Sequence, residues 1–356
     1  MKSIKKINTL IRLSDWWNYI FPPILALAYL QIFIYGLLPE KIYADLLLFF
    51  ISFVGTASFG FILNDISDTK EDLHAGKKNH VSNLSVPKRF LVLFLSLNIS
   101  VVPWFFISYN HAVIGLFILQ LILLAIYSIP PVRLKRFKYA GILTDGFYSS
   151  VIPAFIALFL FAYEGNYHWA LLSVVFLCMI FKGVRNIISH QIEDFNNDMR
   201  INAKTFAVSA GIKQSQYIIG RIIIPLEIIS ALAFFVLILS FNDMRWPFLA
   251  LFAFMFIVYF FSIKRTSGKS NFIHNFLNDL YGDLLPIFIL ILLCFTSKYY
   301  LIILFLHFFI FRKKPLYLYI NFLIIHILYH RIIVWLYFKL FCNQYVRHLF
   351  KKKGNE

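Results

Sequence analysis

Nine times along its 356 residues this chain presents a nearly unbroken apolar run, each close to the roughly 20 residues that carry an α-helix across a hydrocarbon core. The runs fall at 17–37, 43–63, 90–109, 112–129, 143–163, 168–188, 217–240, 246–263 and 280–297. A chain in lipid must satisfy its backbone N–H and C=O groups internally, which leaves helices or closed barrels. These runs are continuous and do not alternate with period two, so helices are predicted and a β-barrel is excluded. Prolines 22, 23, 103, 153, 225 and 286 lie inside or at the ends of the runs, where membrane helices absorb them by local adjustment. Composition excludes a soluble domain: 60% of residues are hydrophobic and 14% charged, against about 25% charged in ordinary soluble proteins. An all-α membrane protein is expected, about nine transmembrane helices in one bundle.

The basic residues predict orientation. Lys and Arg total 34 against 17 Asp and Glu, and basic loops stay on the cytoplasmic side. Lys2, Lys5, Lys6 and Arg12 precede the first run, and every second connection after it is basic. Lys70, Lys77, Lys78, Lys88 and Arg89 occupy the 64–90 loop, and Arg133, Lys135, Arg136 and Lys138 the 130–140 loop. Arg200, Lys204 and Lys213, then Lys264, Arg265 and Lys269, continue the pattern. The opposite connections are short and nearly charge-balanced, so the motif loops are placed on the cytoplasmic face of the cell (inner) membrane. Basic residues scattered between apolar spans do not make a nucleic-acid surface. The first run lacks a small-residue cleavage site and is expected to be retained. Cys178, Cys294 and Cys342 are read as free thiols. Two parts are expected: a transmembrane core, 1–297, and a hydrophobic extension with a basic tail, 298–356. In the extension, 299–311 is short for a crossing and 316–341 carries His326, His330, Arg331 and Lys339, so both a hairpin and an interfacial helix fit.

Chemistry concentrates in two acidic stretches. The second run ends in Asn64-Asp65-Ile66-Ser67-Asp68-Thr69-Lys70-Glu71-Asp72. If the helix continues, Asp65, Asp68 and Asp72 fall at i, i+3 and i+7 and Asn64 one turn before Asp68, lining one face with oxygen ligands. The sixth run is followed by His190-Gln191-Ile192-Glu193-Asp194-Phe195-Asn196-Asn197-Asp198, in which Asp194 and Asp198 are i, i+4 neighbours and Asn186 and His190 extend the stripe backwards. Either stretch alone fits a solvated helix end. Topology places both on one membrane face, where opposed carboxylates need cations between them. Mg²⁺ takes one or two carboxylates and completes its octahedron with phosphate and water, so metal ions bridging a diphosphate are expected. Tyr127-Ser128-Ile129-Pro130-Pro131-Val132-Arg133-Leu134-Lys135-Arg136, on the same side, offers cations to an anionic substrate.

With these residues the chain resembles the UbiA superfamily of intramembrane prenyltransferases. Asn64 to Asp72 is similar to that family's NDxxDxxxD motif, Asp194 to Asp198 to its DxxxD motif, and Tyr127 to Lys135 to its YSxPPxRLK segment. The resemblance spans about residues 10–297. It implies a helical bundle with a lipid-open central cavity, capped by the cytoplasmic loops. Asn64, Asp65, Asp68, Asp72, Asp194 and Asp198 would hold Mg²⁺ against the diphosphate of an isoprenyl donor, with Asp68, Asp72, Asp194 and Asp198 as the catalytic carboxylates. Arg133, Lys135 and Lys204 would contact the diphosphate; Arg12, Asn18 and Tyr127 would also lie at the substrate. The implied reaction is Mg²⁺-dependent transfer of a polyprenyl group to a small acceptor, aromatic as in quinone biosynthesis, or else a phosphosugar or other non-aromatic molecule. Membrane lipids are the remaining expected partner, and nucleic acid is not one.

Gly76-Lys77-Lys78-Asn79-His80-Val81 departs from the family's Arg-Thr-x-x-Arg-Pro-like stretch, with Lys77 and Lys78 as substitutes, and Asn196 and Asn197 stand where some members carry Asp. His190 is read as hydrogen-bonded to Asp194 and not as a base. Asp279 and Asp283 fit either the acceptor entrance or the membrane interface. His307, His326 and His330 are read as packing or interface residues. A transporter would place charge at mid-membrane, whereas these clusters sit at run ends; a catalytically dead lipid-binding scaffold would not need all six metal-site residues.

Overall fold

The computed structural model describes residues 7–107, 111–162, 168–241, 249–250, 252–253, 256–257 and 272–311. Most of the expected run at 246–263 and the whole of 316–341 therefore lie outside the described residues. All elements among the described residues are helical: α1 (Phe21–Tyr35), α2 (Pro39–Ala75), α3 (Val86–Val101), α4 (His111–Ser128), α5 (Lys138–Leu160), α6 (Trp169–Glu193), α7 (Phe195–Arg200), α8 (Phe206–Ala210), α9 (Ile212–Ser240), α10 (Phe272–Thr296) and α11 (Tyr300–Ile310). A helical turn, Leu13–Trp16, precedes α1.

Seven described helices, α2 to α6, α9 and α10, are long and apolar enough to cross a membrane. The count of nine expected from sequence is not reached among the described residues. The first run, 17–37, becomes a helix of only 15 residues, because Pro22 and Pro23 set its start, where a missing N–H costs nothing, and Gly36 ends it in the left-handed conformation at φ 59°. In contrast α2 outruns its predicted span. Its 37 residues reach about 55 Å, well beyond a hydrocarbon core of about 30 Å, so its last turns project the first acidic motif past the apolar layer.

Three of the in-run prolines share one local solution. Pro153, Pro225 and Pro286 each follow a π-helical turn, at Phe147–Val151, Ile219–Ile223 and Leu280–Leu284. A proline lacks the N–H that would reach the carbonyl four residues back, and its ring crowds that carbonyl; widening the preceding turn accommodates both effects without ending the helix.

The centre of the bundle is α1 with α10, which pack together. Twelve consecutive residues of α1, Phe21 to Ile32, are buried, as are Leu280 to Leu290 of α10. Helices apolar on every side belong inside a core or in lipid. The outer helices turn large side chains outward, Phe90 and Phe94 on α3, Ile118 and Ile122 on α4, Leu232 and Val236 on α9. From the extension, α11 returns to the first helix: Trp17 Nε1 donates to the Ile310 carbonyl at 3.1 Å, buried His307 meets Tyr29 Oη at 3.3 Å, and Phe311 packs among Trp17, Phe21 and Phe50.

Between apolar helices in lipid, close backbone approach and hydrogen bonds supply the attraction that water cannot. On α2 and α3, Ser52 Oγ donates to the Ser100 carbonyl at 2.7 Å and Thr56 shares a hydrogen bond with Ser100 Oγ. A Cβ on Gly55 would lie 2.3 Å from the Ser100 backbone nitrogen, and one on Gly183 of α6 2.7 Å from Gly146 Cα of α5. Gly55→Ala is expected to lower stability by about 1–3 kcal/mol through this backbone clash, whereas Gly115→Ala, with nothing within 4 Å of the new methyl group, is expected to be neutral or slightly stabilising. Heat unfolding of both variants in detergent checks the contrast.

Candidate active site

The acidic motif on α2 stays helical to Ala75, as its spacing predicts. Gly76, at φ 69°, then closes the helix with paired end bonds: Lys77 N–H donates to the Asp72 carbonyl at 2.8 Å and Gly76 N–H to that of Leu73 at 3.2 Å. This turn carries Lys77 back over the bundle, where its ammonium meets Asp194 at 2.5 Å and ties the two acidic stretches together. Asp194 ends α6, and α7 carries Asp198, which accepts a hydrogen bond from Thr205 Oγ1 at 3.0 Å.

The loop after α4 supplies the cations. Its Pro130–Pro131 peptide is cis, and Arg133 adopts the left-handed conformation at φ 42°. Lys135 Nζ reaches Asn64 Oδ1 at 2.7 Å and both oxygens of Asp68 at 2.5 Å. Arg133 is paired with Asp68 and Glu71, and Arg136 with Glu71. Burial pushes the Lys135 ammonium below the ordinary lysine range, against the pull of Asp68, and burial raises the Asp198 carboxyl.

A cavity of about 650 Å³ joins these parts. Asn64, Asp68 and Asp72 line one wall and Asp194 and Asp198 the other, with Arg12, Lys77, Tyr127 and Lys135 also facing in. The remaining expected residues do not line it. Asp65 is 2% exposed and held by Arg12 at 3.3 Å, leaving its Oδ2 buried with no hydrogen-bond partner. Arg133 lies behind the carboxylates it pairs with. Asn18 is half-buried off the cavity, with its carbonyl against Gly282. Lys204 is exposed, because Asn202 at φ 53° turns the chain so that Thr205 presents to Asp198. His190 faces Glu193 at 3.6 Å instead of hydrogen-bonding Asp194 through its ring. Asp279 and Asp283 are not cavity residues.

Among the described residues no three His, Cys, Asp or Glu side chains converge into a ready-made metal cage. Mg²⁺ seldom uses one, since it keeps waters and binds through one or two carboxylates plus phosphate. The oxygen donors of Asn64, Asp68, Asp72, Asp194 and Asp198 suit that hard cation.

Several residues in or beside the cavity escaped the sequence reading. Glu71 anchors Arg133 and Arg136, and Asn79 Nδ2 bonds Asp72 at 2.8 Å and the Asp65 carbonyl at 2.7 Å. Deeper in, Asp145, Tyr148 and Lys182 line the cavity. The signal for Asp145 and Lys182 was present, as solitary ionisable residues in apolar runs.

A family model described as the UbiA prenyltransferase family matches residues 20–278. No curated protein matches the chain. Among solved structures, a UbiA homologue from Archaeoglobus fulgidus bound to DMAPP and Mg²⁺ is 17% identical, with a TM-score of 0.54 over 80% of this chain and 99% of that one. The same homologue bound to GPP and Mg²⁺ gives 18% and 0.51 over the same shares. A digeranylgeranylglyceryl phosphate synthase structure is 16% identical, with a TM-score of 0.53 over 81% of this chain and 98% of that one. At these identities the likeness is one of fold.

Glu71→Gln removes a charge shared by two arginines, one of them buried, and is expected to lower stability by about 1–3 kcal/mol. Lys213→Ala, at an exposed position, is expected to stay within about 0.5 kcal/mol. Parallel thermal melts in detergent compare the two.

Proposed function

The chain belongs to the UbiA prenyltransferase family, and on that footing we propose that its cavity transfers a polyprenyl group from an isoprenyl diphosphate to a small acceptor, an aromatic one by family precedent. The observation that carries the reading is the pair of facing oxygen-rich walls, Asn64, Asp68 and Asp72 opposite Asp194 and Asp198, with Arg12, Lys77 and Lys135 set among them. Such a site suits a diphosphate accompanied by divalent metal: the carboxylates repel the anion alone, and the cations attract it. The reading is supported by the A. fulgidus homologue having been solved with Mg²⁺ and two prenyl diphosphates.

Asn64, Asp68, Asp72, Asp194 and Asp198 are the residues proposed to hold Mg²⁺, which when bound supplies charge neutralisation for the departing diphosphate. The other parts belong to the chain. Lys135 and Lys77, each now bonded to a motif carboxylate, exchange that partner for diphosphate oxygens as substrate and metal arrive. Arg133, behind Asp68 and Glu71, fixes the carboxylates and acts as a positioning residue. Breaking the allylic C–O bond leaves electrons on the diphosphate and positive charge on the prenyl carbon, which an acceptor electron pair captures to form the new bond while the acceptor's proton passes to a motif carboxylate or to the released diphosphate; Tyr127, whose ring stands edge-on to Tyr148 at 5.1 Å, offers an aromatic surface to the positive charge. The prenyl tail runs along the apolar wall, where Phe53, Gly60 and Leu124 line the cavity, and leaves laterally toward lipid. The motif loops face the cytoplasm.

Asp68→Asn and Asp198→Asn are each expected to cut Mg²⁺-dependent transfer from a radiolabelled prenyl diphosphate by about 10²-fold or more while the protein still purifies folded. Near-normal activity in both variants would overturn the metal-site assignment. In wild-type protein, chelating divalent cations with EDTA is expected to abolish release of diphosphate, and adding Mg²⁺ to restore it.

A further inference from the structure

Along α6 and into α7 a polar side chain faces the cavity at every fourth residue: Lys182, Asn186, His190, Asp194 and Asp198. The Asp194 end belongs to the diphosphate site. Lys182 lies twelve residues earlier, about 18 Å along the helix axis toward the middle of the bundle. Lys182 is 2% exposed; the buried carboxylates Asp145 and Glu227 lie near enough to act on its charge, but among the described residues neither makes a hydrogen bond or ion pair with it. Neighbouring Arg185 is different, because Glu227 holds it from two sides at 2.6 and 3.0 Å. One turn on from Lys182, Asn186 Oδ1 is buried and has no hydrogen-bond partner. Asp145, across the Gly146–Gly183 contact on α5, also lines the cavity, but it takes the Tyr148 hydroxyl at 2.5 Å and forms no ion pair with Lys182.

A buried ammonium and a buried carbonyl oxygen are each costly without partners. Residues four apart on a helix stand about 6 Å apart on one face, so one small molecule spans both. We infer that Lys182 and Asn186 form a two-point subsite that specifies the acceptor: a small anion, carboxylate or phosphate, seated on Lys182 and presenting an O–H or N–H to Asn186. This deepens the transfer reading and rests on it. The donor diphosphate stays at the acidic walls, and the acceptor occupies the membrane-ward end of the same cavity.

The test uses the full chain in lipid nanodiscs and two radiolabelled anions, 4-hydroxybenzoate for the carboxylate source and glycerol 3-phosphate for the phosphate source. Binding of labelled geranyl diphosphate with Mg²⁺ is measured in parallel, reporting both on the donor site and on folding. One of the two anions is expected to bind saturably, and its uncharged counterpart, methyl 4-hydroxybenzoate or glycerol, to compete poorly. Lys182→Met is expected to weaken that binding by about tenfold or more, Lys182→Arg to retain most of it, and all variants to bind geranyl diphosphate as wild type does. Where Lys182→Met loses the donor as well, Asn186→Leu carries the same comparison. Saturable binding of neither anion, or equal binding by wild type, Lys182→Met and Asn186→Leu, overturns the subsite. Anion binding that depends on Lys182 in a protein with no affinity for geranyl diphosphate would instead overturn the donor reading and leave the subsite standing.

Discussion

The organising interaction is the capture of Asp68 by two cations from one loop. Lys135 bonds both of its oxygens, and Arg133 reaches it while also holding Glu71. Carboxylates at a bundle mouth repel one another and are costly to desolvate, so a helix such as α2 keeps them there only if counter-charges arrive from elsewhere. The loop after α4 delivers those charges, Lys77 extends them to Asp194, and Arg12 brings the segment before α1 to Asp65. The same contacts thus fix four stretches of chain around one cavity and compensate the charge on which the chemistry draws.

Geometry at that mouth follows from unusual backbone. Three non-glycine residues in the described chain have positive φ, Arg12, Arg133 and Asn202. Two are site cations and the third turns Thr205 toward Asp198. A left-handed residue of this kind costs about 1–3 kcal/mol and persists where surrounding contacts over-determine it. Here the contacts are ion pairs and hydrogen bonds to the motif carboxylates.

Much of this was legible in the amino-acid order, for physical reasons that also mark its limits. Apolar runs reveal helices because lipid leaves the backbone few alternatives, and the Asn64 to Asp72 spacing reveals a polar face because α2 does not break there. Asp65 shares that spacing yet points at Arg12, 53 positions away; a long-range ion pair leaves no trace in local periodicity. Lys204, placed at the diphosphate only by the family resemblance, is exposed after the Asn202 turn, which no local pattern foretells. Asp145 and Lys182 stand singly in apolar runs and form no spaced motif, so only their cost in an apolar span marks them in the sequence. The short α1 differs from its predicted run because two prolines and a glycine decide helix ends more firmly than hydropathy does.

The return of α11 to the start of the chain bears on how such a protein is made. Helices enter a membrane in order of synthesis, N-terminal parts first. Yet Trp17 and Tyr29 find hydrogen-bond partners at Ile310 and His307, and Phe311 completes the ring cluster around Phe21. The hydrogen bonds that Trp17 and Tyr29 make at the start of the bundle are therefore closed only by residues nearly three hundred positions later. Assembly of the bundle thus finishes where it began.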